Sequence, residues 1–358
     1  MEPLNGGKPI QSALDEYRQR RALEIGRWAI GVKRVYLDTN FWIFLRDARS
    51  GAPRSRNHER LYRTLATLVC QRKVVCPVSE ASFLELLRQE ERKTRTDTAI
   101  VMDELSMGLV LDWYDKRVRT EALHYFRSLH SPPDSLYPLA QCVWTCPAFI
   151  LGEFVPSNTA FKPDEETAIQ CAFYQHLEQQ RLQDVVASLS QAASPFSDQY
   201  LETFAERLTD GKFRNAGQIG SFQEALSLEA EGALDVYRSA LAEACAHVNA
   251  GCESSLKEHL NLIAKLIRTD QIGTRLPFIA INAGIHASVR WNRKQKFKPH
   301  DWMDFMHAAA GLPYCDYFLS ENSLAKLVSS AQLRFDRRYQ TQVISDPAEA
   351  VEALAALL

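Results

Sequence analysis

Short apolar segments bordered by acids stand at the two ends of this chain, and a long stretch between them reads without strands. Near the start, Val35-Tyr36-Leu37 runs into Asp38-Thr39-Asn40. Near the end, Asp316-Tyr317-Phe318-Leu319-Ser320-Glu321 follows the small-residue run Ala308-Ala309-Ala310. Residues 163–290 read as successive helices separated by Gly, Asn or Pro breaks, at 165–189, 198–208, 221–248 and 253–267. Strands that are apolar on both faces belong to sheets covered on both sides. One parallel sheet built from both flanks, with the helical stretch inserted into it, satisfies that requirement.

The flanks support this layout. Residues 12–30 read as an amphipathic helix with Ser12 and Asp15 placed as a capping box. A strand at 32–37, helices at 41–46 and 58–71, and a short apolar strand at 74–78 follow. A helix at 80–91, a strand at 108–111 and a helix at 115–127 complete the first half. Strand and helix alternating in this order argue for an α/β layer fold. Ser131-Pro132-Pro133 marks a boundary. The pattern returns with a helix at 301–310, strands at 317–319 and 342–344, and a final helix entered through Ser345-Asp346-Pro347. The organisation expected is an N-terminal helix (1–30), a first core half (31–130), a mainly helical insertion (131–297) and a second core half (298–358).

Composition narrows the classes. The net charge is −2, so nucleic-acid binding requires a local basic patch. None of the 8 cysteines forms a CxxC pair, which argues against a zinc site and for free thiols in a reducing cytoplasm. The sequence contains no GxxxxGKS/T, GxGxxG or HExxH motif. It also has neither an apolar leader-like start nor a long apolar run. The expectation is a cytoplasmic protein that does not span a membrane.

The acids carry the chemistry. Asp38 follows the first strand, at the edge where open α/β sheets place ligands, and Asn40 can orient a carboxylate or a metal-bound water. Capping of the helix at Phe41 explains Asp38 equally well on its own. Glu80 stands at an exposed helix start, where acids favour the helix dipole. Glu85 lies among Phe83, Leu84, Leu86 and Leu87, an unusual setting for an acid without a role, and is the preferred ligand of the two. Asp304 and His307 share a helix face, with His307 in a supporting role. Asp316 and Glu321 bracket the late strand.

Together these segments resemble the PIN-domain nucleases, an α/β fold of three layers around a central parallel sheet. The resemblance rests on the strand ending in Asp38, the segment from Ser79 to Glu85, the Asp304 helix with its alanines, the strand flanked by Asp316 and Glu321, and the closing strand and helix. It covers about half the chain and leaves the insertion unexplained. It implies phosphodiester hydrolysis aided by Mg²⁺ or Mn²⁺ held by Asp38, Glu85, Asp304 and Asp316. Ser320-Glu321 stands where Thr-Asp is usual, so Asp316 and Glu321 compete for the fourth position, with Ser320 in support. A ribonuclease of toxin or defence type is the first reading, with a regulatory protein partner and self-association left open. A catalytically silent interaction module and a structure-specific DNA nuclease are the alternatives.

Arg290-Trp291-Asn292-Arg293-Lys294-Gln295-Lys296-Phe297-Lys298 is the most basic stretch. Arg290, Arg293, Lys294, Lys296 and Lys298 could track a phosphate backbone, and Trp291 and Phe297 could stack on bases. A solvated connector whose aromatics pack inward is the equal alternative.

Overall fold

The computed structural model describes residues 13–132, 135–157, 161–189, 198–248 and 253–358; Ser12, Pro133 and Cys252 lie outside them. The strands are β1 (Lys33–Leu37), β2 (Val74–Val75), β3 (Val110–Leu111), β4 (Trp144–Thr145), β5 (Tyr317–Leu319) and β6 (Gln342–Ile344). The first group of helices is α1 (Ala13–Ile30), α2 (Thr39–Arg49), α3 (Arg56–Cys70), α4 (Glu80–Leu87), α5 (Arg92–Ser106) and α6 (Tyr114–Ser128). The middle group is α7 (Pro163–Glu178), α8 (Leu182–Ser188), α9 (Asp198–Asn215), α10 (Phe222–Val236), α11 (Arg238–Val248), α12 (Glu253–Arg268) and α13 (Pro277–Trp291). The chain closes with α14 (Asp301–Gly311), α15 (Asn322–Val328), α16 (Phe335–Tyr339) and α17 (Pro347–Ala355).

Strands from both ends of the chain do join. The main sheet is four-stranded and parallel, in the order β2-β1-β5-β6, with Tyr36 opposite Phe318 and Leu37 opposite Leu319. Alternation along β1 sends successive side chains to opposite faces. Val35 and Leu37 join Leu319 and Ile344 in a core with α2, α3, α5 and α17. Tyr36 and Phe318 face the other way, into a core with α6, α13 and α14. Helices therefore cover both faces.

Several details depart from the sequence reading: the helices expected at 165–189 and 221–248 are each broken in two, at 179–181 and at Tyr237. The strand expected at 108–111 does not extend this sheet. β3 pairs antiparallel with β4, a strand not foreseen, and joins the segment after β2 through a bridge from Val78 to Val110. The expected helix at 80–91 ends at Leu87, and α5 starts afresh at Arg92.

Glu80 also differs from the expected exposed position. It is fully buried in a two-pronged ion pair with Arg117 of α6, at 2.7 and 2.6 Å. Arg117 donates to the Asp112 carbonyl at 2.9 Å as well. One turn further along α6, the Glu121 carboxylate accepts from the Phe278 amide at the start of α13 (3.0 Å) and from the Tyr314 hydroxyl ahead of β5. Burial pushes the Glu121 carboxyl up to about 7. Helix α6 thus ties α4, α13 and the approach to β5 together through charged groups.

α14 runs against the sheet closely enough to require glycine at its end. A Cβ on Gly311 would lie 2.4 Å from a Phe318 ring carbon and 2.6 Å from one of Tyr36. Those two rings stack at 5.4 Å with planes 13° apart, so neither can yield easily. Gly311→Ala is expected to destabilise the protein by about 1–3 kcal/mol through overpacking. A lowered urea midpoint at unchanged slope would show this; an unchanged midpoint would refute the close approach.

A candidate metal centre at the carboxyl edge of the sheet

In the order β2-β1-β5-β6 the chain leaves β1 in one direction to reach β2, while β5 lies on its other side. Such a reversal opens a crevice beyond the carboxyl ends of the two strands, where open α/β sheets bind ligands. Asp38 follows β1 at that point and Glu321 follows β5. Asp38 caps α2, accepting the Phe41 amide on Oδ1 at 3.0 Å. Its Oδ2 accepts the Glu321 amide at 2.8 Å. Both oxygens are thereby fixed, and each keeps a further lone pair for another partner.

Glu85 reaches the same place from α4. It accepts hydrogen bonds from the Thr39 hydroxyl and from His307 Nε2, the latter at 2.9 Å. His307 Nδ1 lies 2.7 Å from the Tyr36 hydroxyl, which lies 2.6 Å from the Ser79 hydroxyl at the cap of α4. This buried chain fixes the imidazole. Asp304 lies one turn before His307 on α14. Asn40 Nδ2 stands 3.5 Å from Glu321, and the Ser323 hydroxyl donates to it. The Ser320 hydroxyl is fully buried near Asp38 and, among the described residues, has no hydrogen-bond partner.

Charge binds these groups as closely as geometry does. Burial raises the Asp38 carboxyl, against the pull of His307 and the two amides. Burial also works on Glu85, yet the bond and charge of His307 and the Thr39 hydroxyl outweigh it and hold that carboxyl low. Burial alone would lower His307; Glu85, Asp38 and Asp304 raise it instead. Asp304 is pushed up to about 7, by burial first and then by Glu321, Glu85 and Asp301, with His307 opposing. Among the described residues, no lysine or arginine forms an ion pair with Asp38, Asp304 or Glu321. On the outer side of Asp304, side-chain ligand atoms of His300, Asp301 and Asp304 lie within 4.8 Å of one another.

Asp316 is not part of this group, which corrects its expected place as a ligand. It precedes β5, so it sits at the opposite edge of a sheet whose strands all run the same way. There it takes Lys33 Nζ at 2.8 Å and the Arg34 guanidinium at 3.1 Å. Burial notwithstanding, Lys33 and Arg34 hold its carboxyl below the usual range. At about 3.3 Å per strand residue, the five steps to Glu321 span roughly 16 Å. Glu321 is the acid at the crevice.

The basic stretch divides. Arg290 is paired with Glu229 in the interior, Trp291 packs beside Ile219 and Ala225, and Phe297 is buried against His286 at 5.6 Å. These three are not free for a strand of nucleic acid, because they anchor the connector. Arg293, Lys294, Lys296 and Lys298 are exposed and lead directly into α14. The connector is held from below by buried Lys212, whose Nζ donates to the carbonyls of Val289 (2.9 Å), Asn292 (2.6 Å) and Gln295.

Thr39, Tyr36 and Ser79 were missed by the sequence reading. Thr39 stands between two residues already singled out, and Tyr36 is a polar-tipped side chain between the apolar Val35 and Leu37 of β1; neither signal identifies a partner far along the chain. No family model, curated protein or solved structure matches this chain. No helix among the described residues is long and apolar enough to cross a membrane.

Proposed function

We propose that this protein is a divalent-metal-dependent nuclease with a PIN-like core, and that RNA is its first substrate to test. One observation carries the reading: acids from four separate segments, Asp38, Glu85, Asp304 and Glu321, gather at the carboxyl ends of β1 and β5, where His307 offsets their charge and, among the described residues, no lysine or arginine pairs with Asp38, Asp304 or Glu321. A carboxylate-rich site of this kind suits Mg²⁺ or Mn²⁺.

Asp38, Asp304 and Glu321 would hold the ion, with Glu85 at its inner side. When bound, such an ion lowers the pKa of a coordinated water and offsets charge on a phosphodiester. The protein's own part is positioning and proton control. The amides of Phe41 and Glu321 hold Asp38 in one orientation, and His307, steadied by Tyr36, keeps Glu85 ionised. Asn40 is placed to steer the Glu321 carboxylate. The exposed cations Arg293, Lys294, Lys296 and Lys298 would meet backbone phosphates without reading bases.

The metal requirement is testable without any substrate. Asp304 holds a proton up to about pH 7 in the free protein. A carboxyl raised on folding costs stability as pH climbs from its unfolded value through that range, and a bound cation reverses the cost. Mn²⁺ at a hundred times its Kd is expected to stabilise the fold by about 2.7 kcal/mol, a rise of several degrees in Tm. Its affinity should fall as pH drops below 7, because protons compete for Asp304. Equal melting curves with and without Mn²⁺, or an equal shift in Asp304→Asn, would count against the centre.

A further inference from the structure

A second concavity, about 200 Å³, lies where α10, the end of α12, α13 and the segment joining α15 to α16 meet. Three guanidinium groups line it, from Arg268, Arg334 and Arg338, against the single carboxylate of Asp270. Three positive charges less one negative leave an excess of two. None of these residues belongs to the acidic centre.

Arg338 is built in. It pairs with Asp270, its guanidinium lies 5.0 Å from the centre of the Phe335 ring, and it presses on Gly273. A Cβ at Gly273 would approach the Arg338 side chain to 2.6 Å, so glycine lets the arginine lie in this position. Arg338 Nε is buried without a hydrogen-bond partner. A desolvated donor of this kind is costly unless an acceptor reaches it. The backbone is strained as well: Asp270 and Arg334 adopt left-handed conformations, with φ of 60° and 48°. Such conformations in non-glycine residues cost of order 1 kcal/mol or more and gather at ligand sites.

We propose that this cavity binds a phosphate group, presented by a small phosphate ester or by the end of a nucleic-acid strand. Guanidinium groups offer paired donors matched to phosphate oxygens, and they remain charged at any physiological pH. The volume is below that of pockets for drug-sized ligands, so it takes the phosphate rather than a whole nucleotide. The proposal is independent of the nuclease reading, since neither the residues nor the ligand contacts are shared.

The test is calorimetric titration of the full chain in EDTA, which silences the acidic centre. The probes are inorganic phosphate and a dinucleotide bearing either a 5′-phosphate or a 5′-hydroxyl. Phosphate is expected to bind wild type and to bind Arg334→Gln and Arg338→Gln about 10-fold more weakly, while Arg60→Gln, exposed on α3, behaves as wild type. A 5′-phosphorylated dinucleotide that binds more tightly than inorganic phosphate identifies a strand end as the source; equal affinity identifies a small ester. Should Arg338→Gln fail to fold, the exposed Arg334 decides alone. No phosphate binding by wild type, or affinity unchanged in the arginine variants, overturns the proposal.

Discussion

Asp38→Asn is expected to reduce metal-dependent cleavage of nucleic acid on the order of 100-fold or more while leaving the protein folded. The activity loss follows from removing one charged ligand, since charge stabilisation by a metal centre is worth several kcal/mol and each 1.36 kcal/mol is tenfold in rate. The fold survives because asparagine caps helices as well as aspartate, so the bond from the Phe41 amide is kept. The variant loses the acceptor for the Glu321 amide, at about 1 kcal/mol, and is relieved of a carboxylate whose burial is unfavourable. Activity and stability therefore separate at this position. Cleavage within a few-fold of wild type, in a folded variant, would remove Asp38 from the chemistry.

The opposite separation is expected at the Glu80–Arg117 pair. Neither side chain has any exposed surface, and neither is hydrogen-bonded to Asp38, Glu85, Asp304 or Glu321. Arg117→Met leaves Glu80 charged and alone in the core, which costs about 3–5 kcal/mol. It also frees the Asp112 carbonyl and removes the guanidinium that stands 5.8 Å from the centre of the Phe278 ring. Glu80→Leu together with Arg117→Met should recover much of that loss, because two well-packed apolar residues can match a buried ion pair. Chemical denaturation of both singles and the double gives the coupling directly. Losses that simply add would mean that the two groups do not depend on each other.

These two positions also mark what the sequence could and could not disclose. Asp38 was legible because a short apolar strand ending in an acid fixes which end of the strand the acid occupies. Glu85 was legible because a charge among Phe83, Leu84, Leu86 and Leu87 needs a partner. Asp316 was misjudged for a reason of direction: an acid ahead of a parallel strand and one behind it lie at opposite edges, and only the latter shares the edge with Asp38. Glu80 was misjudged because its partner stands 37 residues away, beyond any local pattern. The same applies to Tyr36 and His307, 271 residues apart, whose hydrogen bond depends on the register between β1 and β5. In the basic stretch, alternating charges and aromatics left both readings open. Packing decided, turning Trp291 and Phe297 inward and leaving four cations outside. The helical character of the insertion was foreseen, but the breaks at 179–181 and at Tyr237, which carry no Gly, Asn or Pro, were not; nor was the attachment of Lys212 beneath the connector, since a lone lysine carries no sign of the carbonyls it will meet.

Metal-dependent strand cleavage is the most direct test of the central claim. Labelled RNA and single-stranded DNA would be incubated with the full chain in Mn²⁺, in Mg²⁺ and in EDTA, beside Asp38→Asn, Glu321→Gln and Asp316→Asn. The expected result is cleavage by wild type that needs the metal, is lost in the first two variants and persists in Asp316→Asn. Wild-type protein that cuts neither substrate with either metal, or cutting that survives EDTA, would contradict the assignment of this crevice as a nuclease centre.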